Sequence, residues 1–391
     1  MDKKSVNELR RRLKKDNCSF TKMCGCYIDD HKNKVTNLDE SFLNLEDDEF
    51  FKYLEIAKKV LSTNLGNNLL ELDFPLDEEK PGGHQQFLMG LKKSALTDEG
   101  LLNRFYDMMI ENYDSLGNYL ILLFHDRYDV MTKTSDNMKL DESEEVYEYI
   151  ICAICPMILS KPGLGYNQSE QKIGTLNREW MVGMPETGFV FPAFNERATD
   201  IHSVLMYTAD AKNPHQELIT EILGCKIKKT FAQKQNLLCE MVAEATDVEV
   251  VNDIMESVNI ELAQICHSEP EEIEISKEHV TDALEYAGLG ETRASEISNE
   301  YISALKEDEL PLLENMVTNK AAKIVKDNNE KAFLKEEIKE LNRKIEEVTG
   351  SCEDIIIRVN ESKKPLIRRE MIDGENCLVI PIDENENVRI N

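Results

Sequence analysis

Two segments of strand length, residues 118–126 and 148–156, are apolar almost throughout and lack the alternation that marks a half-buried strand. Uninterrupted runs of this kind are typical of strands that are buried on both faces of a sheet. Shorter strand patterns occur at 21–29, 69–76, 180–184 and 187–194. The sequence therefore predicts an N-terminal domain that is built around a central sheet.

The pattern of the chain changes after residue 212. Residues 213–350 are acidic and mostly helical in pattern, whereas residues 351–391 return to strand patterns. The three strand patterns of this last part are residues 354–359, 364–369 and 376–381. Asp373-Gly374 lies between the last two and is a hairpin turn signal. We predict an α+β fold in three parts: an α/β-like sheet domain (1–212), an acidic helical region (213–350), and a C-terminal helix plus β-hairpin segment (351–391) that packs on the rest.

The overall charge limits how this chain can contact a nucleic acid. It has 75 acidic and 46 basic residues, which gives a formal net charge of −29. A field of this sign repels phosphates at long range, so contact with DNA or RNA requires a local basic patch. Two patches stand against the trend, one in an N-terminal helical pattern and one near the C-terminus. Their members are Arg10, Arg11, Arg12, Arg358, Lys363, Lys364, Arg368 and Arg369.

Cysteine usage and hydropathy indicate where the protein is found. The ten cysteines are scattered, no secretory signal follows Met1, and no apolar stretch approaches the ~20 residues that span a bilayer. We therefore expect a cytoplasmic protein with reduced thiols and no membrane contact.

The spacing of Cys152 and Cys155 is that of redox motifs and of half a zinc site, and Cys24 and Cys26 would complete a four-thiolate site. Residues three apart on a strand, however, face opposite sides of a sheet. Buried cysteine also behaves as a small hydrophobic residue. We therefore predict no metal site and no cofactor.

The loop Gly82-Gly83-His84-Gln85-Gln86 lies between a predicted strand and a predicted helix. It resembles the Gly-Gly-Gln loop in the catalytic domain of eukaryotic and archaeal peptide-chain release factors, although His84 places the glutamine one residue later. That resemblance implies an ester hydrolase acting on tRNA at the ribosome, with Gly82, Gly83, Gln85 and Gln86 as catalytic candidates. The alternative is a strand-to-helix turn with a glycine at positive φ.

Other polar residues at predicted strand ends are candidates for a cleft. His125 and Asp126 end a buried strand, and Asp200 and His202 lie two residues apart. The sequence has no Gly-x-Ser-x-Gly elbow, phosphate-binding loop with lysine, Rossmann glycine fingerprint or HExxH motif. This pattern favours a binding protein over an enzyme.

A heptad pattern near residue 340 offers a contact for a partner. Its apolar residues step by four, three, four and three, and they are Leu334, Ile338, Leu341, Ile345 and Val348. This seam predicts either a homo-oligomer or an antiparallel packing within the chain.

Five further segments stand out in the sequence: residues 24–27, 117–122, 149–156, 159–164 and 192–202. These segments resemble a bacterial family catalogued as domain of unknown function 4317, and the resemblance extends over nearly the whole chain. This resemblance implies no particular activity.

Two apolar strand patterns, at 119–125 and 149–155, are followed by a helix-rich region and by a terminal hairpin pattern at 354–382. This order of elements is similar to that of bacterial nucleoid-associated proteins of the NdpA type. This resemblance implies action on or near DNA. The sequence thus favours a non-enzymatic, nucleoid-associated binding protein. A release-factor-like hydrolase and a protein-interaction scaffold are the alternatives.

Overall fold

A computed structural model describes most of the chain. The described residues are 3–14, 17–133, 139–167, 171–175, 178–195, 197–247, 249–268, 273–305, 310–349, 357, 359 and 361–382. The chain divides into two compact units, Met1–Lys323 and Ile324–Asn391. No helix in the described ranges is both long and apolar enough to cross a membrane.

The first unit is built on an eight-stranded sheet in which all pairs are antiparallel. Its strand order is β2-β1-β4-β5-β9-β12-β3, and β8 pairs with the end of β5. Two small hairpins, β6-β7 and β10-β11, stand apart from this sheet. The strands are β1 Lys22–Ile28, β2 Lys34–Glu40, β3 Leu69–Asp73, β4 Tyr119–Lys133, β5 Lys139–Leu159, β6 Leu164–Asn167, β7 Lys172–Thr175, β8 Trp180–Val182, β9 Thr187–Phe191, β10 Ala193–Asn195, β11 Ala198–Asp200 and β12 Ser203–Thr208.

The two apolar runs fall in β4 and β5, which pair with each other in the middle of the sheet. Alternate residues of β4 enter different cores: Ile121 and Leu123 lie in one, and Leu120, Leu122 and Phe124 lie in the other. The expectation of a central sheet buried on both faces is therefore confirmed. Each large apolar side chain buried in this way contributes roughly 1.5–3 kcal/mol to folding.

Helices cover both faces of the sheet. α3 and α4, with a π-helical turn at Leu218–Ile222, pack on the face that carries Ile121. α1 and α2 pack on the opposite face. The helices of the chain are α1 Lys3–Arg12, α2 Asp47–Val60, α3 His84–Lys93, α4 Glu99–Asn112, α5 Phe231–Ala245, α6 Val251–Ser268, α7 Lys277–Tyr286, α8 Glu291–Leu305, α9 Leu313–Met316 and α10 Asn319–Thr349.

The helices α5 to α9 share a third apolar core. Two of them begin with reciprocal capping boxes, Thr230 with Gln233 and Ser276 with His279. A capping box satisfies backbone N–H groups that have no partner within the helix. These helices belong to the same compact unit as the sheet.

The second unit contains the greater part of α10, a 3₁₀ helix and a hairpin. The strands β13 Arg368–Ile372 and β14 Glu375–Val379 are joined by Asp373 and Gly374, both at positive φ. The expected hairpin turn is therefore confirmed. The expected strand at 364–369 is wrong in its bounds, because Glu361–Leu366 forms the 3₁₀ helix and the strand begins at Arg368. Most of the expected strand at 354–359 lies outside the described residues.

Candidate anion-binding site

The site lies along α1, whose apolar residues are held by the sheet. Val6 and Leu9 are fully buried in the core on that face, together with Leu13 just after the helix. Positions 4 and 11 are seven residues apart, so Lys4 and Arg11 share another side of the helix. Both are exposed. The burial of one face therefore fixes the direction in which the basic residues point.

The exposed side of α1 forms one wall of a cleft of about 490 Å³, which we call the α1 cleft. Its lining residues are Lys4, Asn7, Glu8, Arg11, Arg12, Asn17 and Tyr128. Three of the seven are cationic and one is a carboxylate. Two amides and a phenol ring complete the lining.

Arg12 is held in place from several sides. Its Nη2 donates a hydrogen bond to Ser19 Oγ and lies 3.6 Å from Asp126 Oδ2. The guanidinium carbon is 4.0 Å from the centre of the Tyr128 ring, a cation–π arrangement. Its Nε–H is buried and has no acceptor among the described residues. Arg12 is thus a positioned cation in the lining of the cleft.

Asp126 anchors this arrangement from inside the protein. The residue is 1% exposed, and its carboxylate accepts hydrogen bonds from Tyr149 Oη at 2.6 Å and Ser19 Oγ at 2.7 Å. Burial, and next the Asp126 carboxylate, raises the pKa of Tyr149 well above its usual value. The phenol therefore remains protonated and continues to donate. A buried carboxylate with several donors is a stable counter-ion for Arg12.

The one carboxylate of the cleft is balanced by other groups. Glu8 Oε1 accepts a hydrogen bond from Tyr128 Oη at 2.7 Å and lies 3.2 Å from Arg197 Nη2. Burial, followed by the hydrogen bond to Glu8, raises the pKa of Tyr128 to about 12. Because Arg197 compensates Glu8, Lys4 and Arg11 add net positive charge to the α1 cleft.

The structure brings together two of the three arginines that the sequence singled out in this region. Arg11 and Arg12 line the cleft, whereas the half-buried Arg10 is not among its lining residues. Lys4 could have been added from its helical spacing to Arg11. Asn17 and Tyr128 are brought to the cleft by tertiary packing. No local pattern in the sequence indicates this position.

The C-terminal basic residues lie in the second unit. Lys364, Arg368 and Arg369 are exposed, and Lys363 is half-buried. Arg368 Nε lies 2.9 Å from Glu370 Oε1, and Lys364 pairs with a glutamate of its own 3₁₀ helix. Arg358 lies outside the described residues.

The glycine loop forms a turn between β3 and α3. Gly82 has φ of +97°, as expected for the turn interpretation, and Gly83 precedes the first residue of the helix. Gln85 is 2% exposed, and its Nε2 donates to the backbone oxygen of Ile201 at 3.1 Å. The exposed Gln86 donates to Gln85 Oε1 at 2.8 Å. The Gln85 amide is thus engaged within the fold, and ester hydrolysis by this loop stays a prediction.

His125, on the face of β4 opposite to Asp126, belongs to a separate polar group. Its Nδ1 lies 2.6 Å from Thr21 Oγ1, and its Nε2 lies 3.3 Å from Glu148 Oε1. Burial lowers the pKa of His125, although Glu148 opposes the shift. The imidazole is therefore neutral near pH 7.

Asp200 and His202 lie near the glycine loop in space. Asp200 Oδ2 accepts hydrogen bonds from Ser203 Oγ at 2.9 Å and Asn195 Nδ2 at 2.7 Å. His202 Nδ1 lies 2.8 Å from Glu79 Oε1, and this hydrogen bond raises the pKa of His202. The contact between His202 and Glu79 ties the loop between β11 and β12 to the segment before α3.

The four cysteines of the CxxC and CxC patterns do not converge. Cys24, Cys26 and Cys152 enter the core on one face of the sheet, and Cys155 enters the core on the other. Burial raises the pKa of Cys24 to about 12 and that of Cys26 to about 11, so these thiols stay protonated. Within the described ranges, no group of three or more His, Cys, Asp or Glu side chains is arranged to hold a metal ion.

Comparison with known protein families gives a match over the full length of the chain. The model of the family described as Domain of unknown function (DUF4317) matches residues 1–391. No curated protein matches the chain. The resemblance to nucleoid-associated proteins is supported by neither finding.

Proposed function

We propose that this chain, which belongs to the family described as Domain of unknown function (DUF4317), is a nucleic-acid-binding protein that contacts phosphates through the α1 cleft. One observation carries the proposal: Lys4, Arg11 and Arg12 line a single cleft in a protein of net charge −29. Cations that converge in an acidic protein are the local patch that a phosphate backbone requires.

The groups of the cleft suit phosphate oxygens. Arg12 is oriented by Asp126 and Tyr128 before any ligand arrives, so little side-chain entropy is lost when it binds. The amides of Asn7 and Asn17 can donate further hydrogen bonds. The cleft volume of about 490 Å³ also lies within the range of about 300–1,000 Å³ that is typical of ligand clefts.

The proposal sets the expected salt dependence. If two or three phosphates are neutralised, affinity should fall by roughly 10- to 40-fold between 50 and 200 mM salt. The double substitution Lys4→Glu with Arg11→Glu should remove most of the binding and lower the salt slope by about 2.

The test is fluorescence anisotropy with labelled single-stranded DNA, duplex DNA and RNA of equal length, over a salt series. The matched control is Lys93→Glu with Lys161→Glu, which makes the same change of charge at two exposed lysines outside the cleft. Similar losses in the two double variants would mean that only net charge matters. Unchanged binding in Lys4→Glu with Arg11→Glu would refute the assignment of the cleft.

The C-terminal basic residues are the second place where phosphates could bind. Arg368→Glu with Arg369→Glu tests them in the same assay. Because Arg368 already has Glu370 beside it, we expect these two substitutions to weaken binding less than Lys4→Glu with Arg11→Glu does. A larger loss of affinity in Arg368→Glu with Arg369→Glu would mean that the main phosphate contact lies in the hairpin.

A further inference from the structure

The helix α10 carries an apolar stripe that remains open to solvent. Leu334, Ile338, Leu341 and Ile345 are 54%, 57%, 53% and 56% exposed, and we call these four residues the α10 seam. They are spaced four, three and four residues apart, as in a heptad pattern, so they follow one side of the helix. Contiguous apolar surface of this kind marks a contact with another molecule.

We propose that the α10 seam pairs with the same seam of a second copy of this chain, as a parallel two-stranded coiled coil. In the heptad that the spacing defines, Ile338 and Ile345 occupy position a, and Leu334 and Leu341 occupy position d. Isoleucine at a with leucine at d favours two parallel strands. The pattern continues in the sequence to Val348, also at position d.

Charges beside the seam fit the same arrangement. Glu330 is at position g, and Lys335 is at position e of the next heptad. In a parallel, in-register pair, position g of one helix lies beside position e of the other, five residues later along the chain. Glu330 of each copy would therefore meet Lys335 of the other, once on each side of the pair.

The apolar area is sufficient for a reversible dimer. Four half-exposed Leu and Ile side chains present roughly 400 Å² per copy, so two copies would bury about 800 Å². The stems of flanking charged residues bring the total towards ~1,200 Å², the lower end of specific interfaces. We therefore expect a dimer that dissociates on dilution at about micromolar concentrations.

The first experiment is sedimentation equilibrium of the full chain at about 1–100 µM. The wild type should pass from monomer to dimer, and Ile338→Lys with Leu341→Lys should weaken the association at least 10-fold. The matched control is Ala332→Lys with Phe333→Lys, which introduces two lysines on the same helix at exposed positions outside a and d. A wild type that stays monomeric throughout, or equal losses in both double variants, would overturn the proposal.

The second experiment tests the direction of the pair by charge reversal. Glu330→Lys or Lys335→Glu alone should weaken the dimer about 2- to 5-fold, because each places like charges together. The double variant, Glu330→Lys with Lys335→Glu, should restore the wild-type constant. Failure of this rescue while the dimer persists would overturn the parallel, in-register arrangement.

Discussion

The hydrogen bond from Tyr149 to Asp126 should contribute measurably to stability, and Tyr149→Phe tests it. The substitution removes one hydroxyl and leaves the ring, whose centre lies 4.6 Å from that of Tyr147 in a stacked pair. The lost bond is 2.6 Å long, fully buried and made to a carboxylate. Bonds of this type contribute about 1.5–3 kcal/mol, so we expect a loss of about 2 kcal/mol in the free energy of unfolding.

The matched control is Tyr113→Phe. Tyr113 is 1% exposed, and its hydroxyl is buried without a hydrogen-bond partner among the described residues. Removing a buried hydroxyl that makes no hydrogen bond costs little and can stabilise the fold. The two substitutions delete the same atom from equally buried rings, so their difference reports the bond to Asp126.

The assay is urea unfolding of the full chain, followed by far-ultraviolet circular dichroism. A loss of about 2 kcal/mol should lower the urea midpoint of Tyr149→Phe by about 0.5–1 M. The midpoint of Tyr113→Phe should stay within about 0.2 M of the wild type or rise. Equal shifts of the urea midpoint in the two variants would refute the argument that the hydrogen bond from Tyr149 to Asp126 stabilises the fold.

Two further changes test other parts of the first unit. Because burial lowers the pKa of His125, the unfolded state takes up the proton first as the pH falls below about 6.5, and stability falls with it. His125→Asn should therefore lose less stability between pH 7 and pH 5 than the wild type, and parallel urea midpoints over this range would contradict this. At Gly188 an added Cβ would lie 2.2 Å from the backbone oxygen of Cys152, so Gly188→Ala should separate β9 from β5 and cost about 3 kcal/mol or more. Gly117→Ala, with open space around the added atom, is the control, and equal soluble yields and midpoints would refute the steric argument.

The local pattern of the sequence was sufficient to predict those elements whose structure depends only on residues that are neighbours in the chain. The runs at 118–126 and 148–156 report burial on both faces, and the structure places them in the middle of the sheet. Asp373-Gly374 determines a two-residue turn because both positions take positive φ. The face of α1 that is buried could likewise be read from the spacing of Val6, Leu9 and Leu13.

Only the tertiary structure decided how distant segments meet. Apolar runs without alternation show that both faces are covered, but they carry no information on strand direction, and here every pair in the sheet is antiparallel. The α1 cleft depends on Arg12 meeting Asp126, Ser19 and Tyr128, and two of these residues are more than a hundred positions away in the chain. Contacts of such separation arise from sheet register and helix packing, which no local period encodes. The sequence therefore determined which residues are buried and which are charged, and the fold decided which of the charged residues form a site.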